Sequence, residues 1–236
     1  MKNKKKIVVT GGSGRFGSVL QKSTLNYHML YPKKNKLNIT KFNSIKKYLA
    51  KNRPHCVIHL AGLSRPMKIH EKEISKSIEL NIIGTANMVR ACKLFNTKLI
   101  YFSTSYVYPG KKGNYKETDP LLPASNYAWS KLGGESAVQM YKNSLIVRAS
   151  MTEKPFVHKK AFANVFTNFI YHDEFLKIFI KLINKKGIVN VGGPTNSVYD
   201  FVKKNNKDIR KKYLKNTKSL MPINSSMNLS KLKKYL

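Results

Sequence analysis

Short apolar runs bounded by turn residues alternate along this chain with stretches whose apolar side chains recur every three or four positions. Residues 7–10, 28–31, 56–61, 99–103, 145–149 and 188–191 read as buried strands. Between them, Ile45, Tyr48 and Leu49 line one helical face, and Ile78, Ile82, Thr85, Ala86, Val89 and Cys92 line another. Both faces are expected to pack on a sheet, because an apolar stripe needs an apolar surface to bury against. Strands that are apolar along their length, with helices between them, predict the α/β class: a doubly wound parallel sheet. After Arg148 the pattern loosens until residues 175–183, an amphipathic helix, and a strand at 187–191 with the turn Gly192-Gly193-Pro194. The expected division is a domain over residues 1–150 and a small lobe over 151–236, interleaved with the sheet edge as one folding unit. Residues 108–126 are rich in Gly, Pro and charge, so they read as a long loop ending at a helix that begins near Tyr127.

The first strand, Lys5-Lys6-Ile7-Val8-Val9-Thr10, runs straight into Gly11, Gly14 and Gly17. Glycines permit a tight turn and close backbone approach to a pyrophosphate, and the helix that follows aims N–H groups at the anion. The apolar positions Phe16, Val19 and Leu20 supply that helix. The turn therefore makes Gly11, Ser13, Gly14, Arg15, Phe16 and Gly17 candidate dinucleotide ligands in a Rossmann-type domain, with Ser13 and Ser18 as hydroxyl donors.

Composition narrows the partners. A net charge of +34 on 236 residues ordinarily suggests nucleic acid. Arginine, however, occurs only at Arg15, Arg53, Arg65, Arg90, Arg148 and Arg210, and the remaining basic residues are lysines scattered along the chain. Sequence-reading surfaces gather arginine and aromatics, so no specific nucleic-acid partner is expected, and the dense run 203–218 reads as a solvated helix face. Cys56 and Cys92 lie in apolar stretches without metal-ligand spacing, and no other cluster suggests a metal. Reduced core cysteines, and no stretch long enough for export or anchoring, make a cytoplasmic location the expectation and a membrane partner an unexpected one.

Tyr127-Ala128-Trp129-Ser130-Lys131 places a phenol and an ammonium four residues apart on one helical side. Two other Tyr-x-x-x-Lys pairs exist, but Tyr108 and Lys112 span Pro109 and Gly110, and Tyr199 and Lys203 follow the last expected strand. Only Tyr127 and Lys131 come after a strand with a hydroxyl-rich end, Ser103-Thr104-Ser105, and the carboxyl ends of strands are where ligands bind in parallel sheets.

A glycine turn, a hydroxyl at a strand end and Tyr-x-x-x-Lys together resemble the short-chain dehydrogenase/reductase family, in its extended, nucleotide-sugar-modifying branch. Val57-Ile58-His59-Leu60-Ala61-Gly62 is similar to that branch's cofactor-contacting turn, with Leu60, Ala61 and Gly62 as the matching residues. Asn81-Ile82-Ile83-Gly84-Thr85-Ala86-Asn87 resembles its next helix, and Phe102-Ser103-Thr104-Ser105-Tyr106-Val107-Tyr108 its active-site strand end. Ile146-Val147-Arg148-Ala149-Ser150 and Gly187-Ile188-Val189-Asn190-Val191-Gly192-Gly193 look like its later strands. Within the branch the likeness is greatest to the dTDP-4-dehydrorhamnose reductases.

The resemblance implies that Tyr127 exchanges a proton with a sugar oxygen, that Lys131 holds the nicotinamide ribose and lowers the tyrosine pKa, and that Thr104 hydrogen-bonds the same oxygen. Asn81 matches a residue near that active site. His59, inside an apolar strand, reads instead as a core histidine bonded to backbone. Dehydratases of the branch carry an Asp-Glu pair after the threonine; Ser105-Tyr106 stand there, which excludes that reaction. Reduction of a 4-keto nucleotide sugar needs only a hydride and one proton donor. A 4-epimerase with bound NAD, or a non-catalytic dinucleotide-binding protein, is the alternative. Ser105 also departs from the Asp usual in the rhamnose reductases, which leaves the sugar open. Pro32-Lys33-Lys34 after the second strand, in place of an acidic residue, favours NADP over NAD, and Arg15 is a second candidate for the 2′-phosphate. The region around 151–171, with Lys154, His158, Lys159 and Lys160, is the expected grip on the nucleotide diphosphate, and it is shorter than in typical relatives. Recognition is then reduced, shared across a homodimer, or directed at a different ligand.

Overall fold

A computed structural model describes residues 4–215 and 221–236. The regular elements are, in order, β1 (Lys6–Thr10), α1 (Arg15–Gln21), β2 (His28–Leu30), α2 (Phe42–Asn52), β3 (Cys56–His59), α3 (Lys68–Lys72), α4 (Ile74–Ser77), a π-helical stretch (Ile78–Ile83), α5 (Gly84–Leu94), β4 (Lys98–Thr104), a 3-10 turn (Ser105–Val107) and α6 (Asn126–Gln139). There follow β5 (Ser144–Ala149), β6 (Met151–Thr152), β7 (Lys160–Phe162), β8 (Phe166–Thr167), β9 (Ile170–Tyr171), α7 (His172–Leu182), β10 (Gly187–Val191), β11 (Asn196–Ser197), α8 (Val198–Lys203), β12 (Arg210–Lys212) and α9 (Ser230–Lys233).

The six expected apolar runs form one sheet in the order β10-β5-β4-β3-β1-β2, a Rossmann-type α/β architecture. β1 pairs in parallel with β2 and β3, and β3 with β4; Val8 stands level with Leu30 and Val57, and Ile58 with Ile100. From β1 the chain passes to β2 on one side and returns to β3 on the other. The order therefore switches direction at β1, the position where such sheets open a crevice at their carboxyl ends. Every residue of β3, β4 and β5 is buried, as strands covered on both faces must be.

One helical face differs from the expected stripe. The π-helical turn at Ile78–Ile83 admits an extra residue and shifts the phase of the helix that follows. Ile78 is exposed and Ile82, Ala86 and Val89 only half-buried, while Asn81, Gly84, Thr85, Met88, Ala91 and Cys92 face inward.

The chain divides into two compact units. The first comprises the described residues of Met1–Ser103 with Trp129–Ile146 and Lys185–Gly187; the second comprises Thr104–Ala128, Val147–Asn184 and the described residues of Ile188–Leu236. The first has an apolar interior in which Ile7, Val8, Leu20, Ile45, Val57 and Leu99 are wholly buried. The second gathers Ala161, Val165, Val198, Val202 and Ile209 into a core of its own. Its remaining strands form three two-stranded ladders, β11 with β8, β12 with β7 and β6 with β9. The lysine run expected as a helix face is mostly something else: α8 stops at Lys203, and Arg210–Lys212 form β12 in parallel with β7. The reason is side-chain packing, with the Lys212 Nζ 4.0 Å from the Phe162 ring centroid and that of Lys211 4.9 Å from Tyr199. Lys218 lies outside the described residues. Among the described residues no helix is long and apolar enough to cross a membrane.

Candidate functional site

In the first unit the glycine turn and the end of β3 meet. Gly11 adopts φ +71°, and a Cβ there would lie 2.6 Å from the Ala61 amide nitrogen, so only glycine allows the two backbones this approach. Gly14 is exposed, and a Cβ built on it would meet little but the Gly11 carbonyl at 3.1 Å, leaving open space over the turn that a larger side chain would fill. That exposed, side-chain-free backbone fits the pyrophosphate of a dinucleotide. Ser13 is exposed beside it, whereas the Ser18 hydroxyl donates to the Gly14 carbonyl at 2.9 Å and is committed to α1. Gly17 and Phe16 are buried, the Phe16 ring 5.4 Å from that of Phe102. Arg15 donates to the Ser64 hydroxyl at 2.9 Å, on the β3 side of the turn. On the β2 side, the Tyr31 ring covers Gly12, and Lys33 and Lys34 are exposed.

The turn after β3 is held from two directions. Thr10 Oγ1 accepts the Ala61 N–H at 3.2 Å and bonds His59 Nδ1 at 2.8 Å; His59 Nε2 bonds Thr85 Oγ1 at 3.2 Å. His59 is thus the expected core histidine, satisfied by two hydroxyls where a backbone partner was expected, and burial pushes its pKa down to about 3, with Lys131 adding to the effect. Leu60, whose N–H donates to the Thr10 carbonyl at 3.2 Å, leads into Ala61 and Gly62. Asn81, in the π-helical turn, accepts the Leu63 N–H at 2.7 Å and donates to the Leu63 carbonyl at 2.9 Å and the Ser130 hydroxyl at 2.8 Å. Both amide hydrogens and the oxygen are therefore used in tying the turn after β3 to α6. Lys131 stands on α6 with its Nζ 4.2 Å from the Tyr101 ring centroid. Burial pushes its pKa down to about 7, against the opposing pull of Glu135.

The second unit holds the other two candidates. Thr104 closes β4, and its Oγ1 accepts the Tyr106 N–H at 3.3 Å. The Tyr106 ring meets that of Tyr127 edge-on at 6.4 Å, so one residue touches both Thr104 and Tyr127. Ser125 accepts the Ala128 N–H at 3.3 Å and opens α6 just ahead of the half-buried Tyr127. Tyr127 and Lys131 are one turn apart on that helix. Lys154, expected at the diphosphate, has its Nζ 5.4 Å from the Tyr171 ring centroid, and Lys160 begins β7 opposite Arg210.

Two residues around these positions carry no motif: Tyr101 and Glu135. The spacing of Glu135, four after Lys131, was the available signal for it; Tyr101 sits in an apolar run that reads simply as strand. Tyr106 stood out in the sequence only as a replacement for the dehydratases' acidic residue, not as a neighbour of Tyr127. Among the described residues no group of three His, Cys, Asp or Glu could hold a metal ion.

Comparison with known proteins agrees with this architecture. The chain is 28% identical over 202 residues to a dTDP-4-dehydrorhamnose reductase of Aggregatibacter actinomycetemcomitans, covering 81% of this chain and 63% of the relative. It is also 28% identical over 143 residues to the methionine adenosyltransferase 2 subunit beta of Pongo abelii, covering 57% of this chain and 42% of that protein. The chain thus matches less than two thirds of the length of either curated relative. Among solved structures, a Bacillus anthracis dTDP-4-dehydrorhamnose reductase in complex with NADP superposes with a TM-score of 0.86 at 24% identity, over 98% of this chain and 91% of that one. The UDP-glucose 4-epimerase of Thermus thermophilus complexed with NAD gives 0.81 at 17%, over 98% and 92%. At such identities the structural likeness speaks of the fold. Membership is carried by the sequence: a family model described as the RmlD substrate binding domain matches residues 5–190, and the chain belongs to that family.

Proposed function

We propose that this protein is an NADP-dependent oxidoreductase that reduces a 4-keto nucleotide sugar, in the manner of a dTDP-4-dehydrorhamnose reductase. The observation that carries the reading is the Tyr127–Lys131 pair on α6, in a chain whose first strand ends in a glycine turn open to a pyrophosphate. Family membership and an NADP-bound neighbour of the same fold support it. The bound dinucleotide supplies a hydride to the carbonyl carbon.

The chain's own residues do the rest. Gly11, Ser13, Gly14, Arg15, Phe16 and Gly17 would hold the pyrophosphate, with Leu60, Ala61 and Gly62 beside the glycine turn as further cofactor-binding residues. Lys33 and Lys34, exposed after β2, favour a 2′-phosphate as point charges. Tyr127 gives its phenolic proton to the carbonyl oxygen as negative charge develops there, and Thr104 donates a second hydrogen bond to that oxygen. The Lys131 ammonium stabilises the phenolate left behind. Asn81 holds the Leu63 backbone and α6 at a fixed separation. The lobe over 151–236 takes the sugar nucleotide.

The test is NADPH oxidation with dTDP-, UDP- and GDP-linked 4-keto sugars. Tyr127→Phe is expected to lower turnover by about 10²- to 10⁴-fold while NADPH still binds. Equal turnover in that variant overturns the assignment. The relative named as a subunit of another enzyme favours a second reading, a dinucleotide-binding subunit without turnover. In that case the protein binds NADPH and oxidises it with none of the sugars.

A further inference from the structure

The oxidoreductase reading needs Lys131 to carry a positive charge near neutral pH, yet the lysine lies in surroundings that disfavour one. Building on that reading, we propose that Glu135 and Tyr101 are positioning residues for Lys131. Glu135 supplies the buried counter-charge that keeps it an ammonium ion, and Tyr101 seats its backbone and faces its head group.

The geometry starts with α6. Tyr127, Lys131 and Glu135 follow one another at four-residue spacing, so they form a file along one side of the helix. Glu135 has no solvent exposure at all. A carboxylate in that position is costly to bury unless it has a cation and hydrogen-bond donors, and a residue serving packing alone would be apolar. Gln139, one turn further, donates to Glu135 Oε1 at 3.3 Å.

Tyr101 approaches from β4. Its hydroxyl donates to the Lys131 carbonyl at 2.9 Å, while the face of its ring lies 4.2 Å from the Lys131 Nζ. The helix is seated closely on it: a Cβ at Gly134 would lie 2.7 Å from the Tyr101 hydroxyl. One side chain thus fixes both ends of the lysine, its backbone by a hydrogen bond and its head group by a cation–π contact.

The charge balance identifies which neighbour matters. Desolvation drives the Lys131 pKa down to about 7, and Glu135 is the group that opposes it. The other titratable groups in its field come from β3 and α3. His59 is held neutral, with a pKa near 3, by burial and then by Lys131 itself. His70 is also lowered, by burial first, with Lys131 contributing and the Ser64 backbone and Glu71 opposing. Neither histidine offers a negative charge, and the phenols of Tyr101 and Tyr127 offer none until they ionise. With its midpoint close to neutral, Lys131 changes charge state in response to Glu135 where it would not in an exposed site.

The experiment reads Lys131 directly, without substrate or cofactor. In full-length protein labelled with [13C]lysine, the Lys131 Cε resonance is the one missing from the Lys131→Met spectrum, and its shift is followed from pH 5 to 11. The expected wild-type midpoint is near 7. Glu135→Gln is expected to lower that midpoint by about 1 to 3 pH units, and Glu135→Asp to restore part of the shift. Tyr101→Leu removes the ring and the hydroxyl and is expected to lower it by about half a unit to one unit.

An unchanged midpoint in folded Glu135→Gln protein overturns the proposal. If that variant does not fold, an unchanged midpoint in both Glu135→Asp and Tyr101→Leu overturns it. Should the sugar panel also show turnover, the high-pH limb of the Glu135→Gln rate profile moves to lower pH, leaving more activity at pH 6 than at pH 8. A purely structural role would lower the rate by the same factor at every pH. Because the titration needs no turnover, failure of the oxidoreductase reading and failure of this inference give different results.

Discussion

The two units of this chain are built on opposite principles. In the first, order comes from apolar periodicity: β1 and β3 are short runs of buried Val, Ile and Cys that end on Thr10 and His59, and those two buried polar groups are paired with each other. In the second, order comes from a buried polar hub. Arg148, 1% exposed, donates to the Tyr108 hydroxyl at 2.7 Å and to the Glu117 carbonyl at 3.0 Å. The Tyr108 hydroxyl donates in turn to Asn190 Oδ1 at 2.8 Å, the Glu117 carboxylate accepts the Asn190 N–H at 2.9 Å, and Asn190 Nδ2 donates to the Tyr115 carbonyl at 2.9 Å. Tyr108 and Tyr115 stack with centroids 4.9 Å apart. An apolar core tolerates any side chain of the right volume, whereas a hub of directional bonds tolerates only the residue that makes them. The loop between β4 and α6, which carries Thr104 and Tyr127 at its ends, gets its shape from the second kind.

The strongest way to break this contrast is Arg148→Met, which keeps a long side chain and removes the bonds. It is expected to destabilise the protein by about 3 to 5 kcal/mol, since the Glu117 carbonyl and the Tyr108 hydroxyl both lose a buried, charged donor. Urea titration followed by circular dichroism and tyrosine fluorescence measures it. A loss under about 1 kcal/mol would mean the hub is decorative and the second unit stands on its small apolar core alone.

The same contrast explains which parts of the molecule were legible in the sequence. Residues 56–59 and 99–103 are buried on both faces, so composition alone marks these runs as strands, and all six joined the sheet, although the run expected over 56–61 leaves it after His59. The glycine turn and Tyr127–Lys131 were legible because their chemistry is local: a turn or one helical turn contains the whole signal. Arg148 was read as strand and nothing more, because its partners Tyr108 and Glu117 lie 40 and 31 residues away. β6, β8, β9 and β11 are two residues long, too short for any period to register. The phase slip at Ile78–Ile83 carries no residue signature, and so the buried face of α5 was misplaced by a position. Glu135 escaped because an acidic residue on a helix ordinarily faces water, and only the fold shows that this one does not.

A smaller perturbation sharpens the comparison within the second unit. Ser197 accepts the Asp200 N–H at 3.0 Å and donates to the Asp200 carboxylate at 2.6 Å, capping α8 at its first turn. Ser197→Ala is expected to cost about 1 kcal/mol, since one helix end loses a cap while the hub around Arg148 stays whole. Thermal unfolding monitored at 222 nm tests this. A cost equal to that of Arg148→Met would make local caps as important as the hub and dissolve the distinction.

The smallest effect is expected in the first unit, from the same replacement that is damaging in the second. Leu99 lies in β4, wholly buried, level with Val57 on β3. Leu99→Met conserves volume, adds no polar atom that needs a partner, and leaves the strand's hydrogen bonds to its neighbours untouched. Cores made of dispersion and burial absorb such swaps for less than about 1.5 kcal/mol, and about 0.5 kcal/mol is expected here. The expected order is therefore Arg148→Met, then Ser197→Ala, then Leu99→Met, with the first and last differing by about 2 kcal/mol or more although both install methionine in a fully buried strand. What separates them is the chemistry removed: an alkyl group with many interchangeable contacts in one case, and in the other a guanidinium whose partners have no substitute. If the two methionine variants unfold at the same urea concentration, the interior of the second unit behaves like that of the first, and the loop that bears Thr104 and Tyr127 must be held by something other than the Arg148 hub.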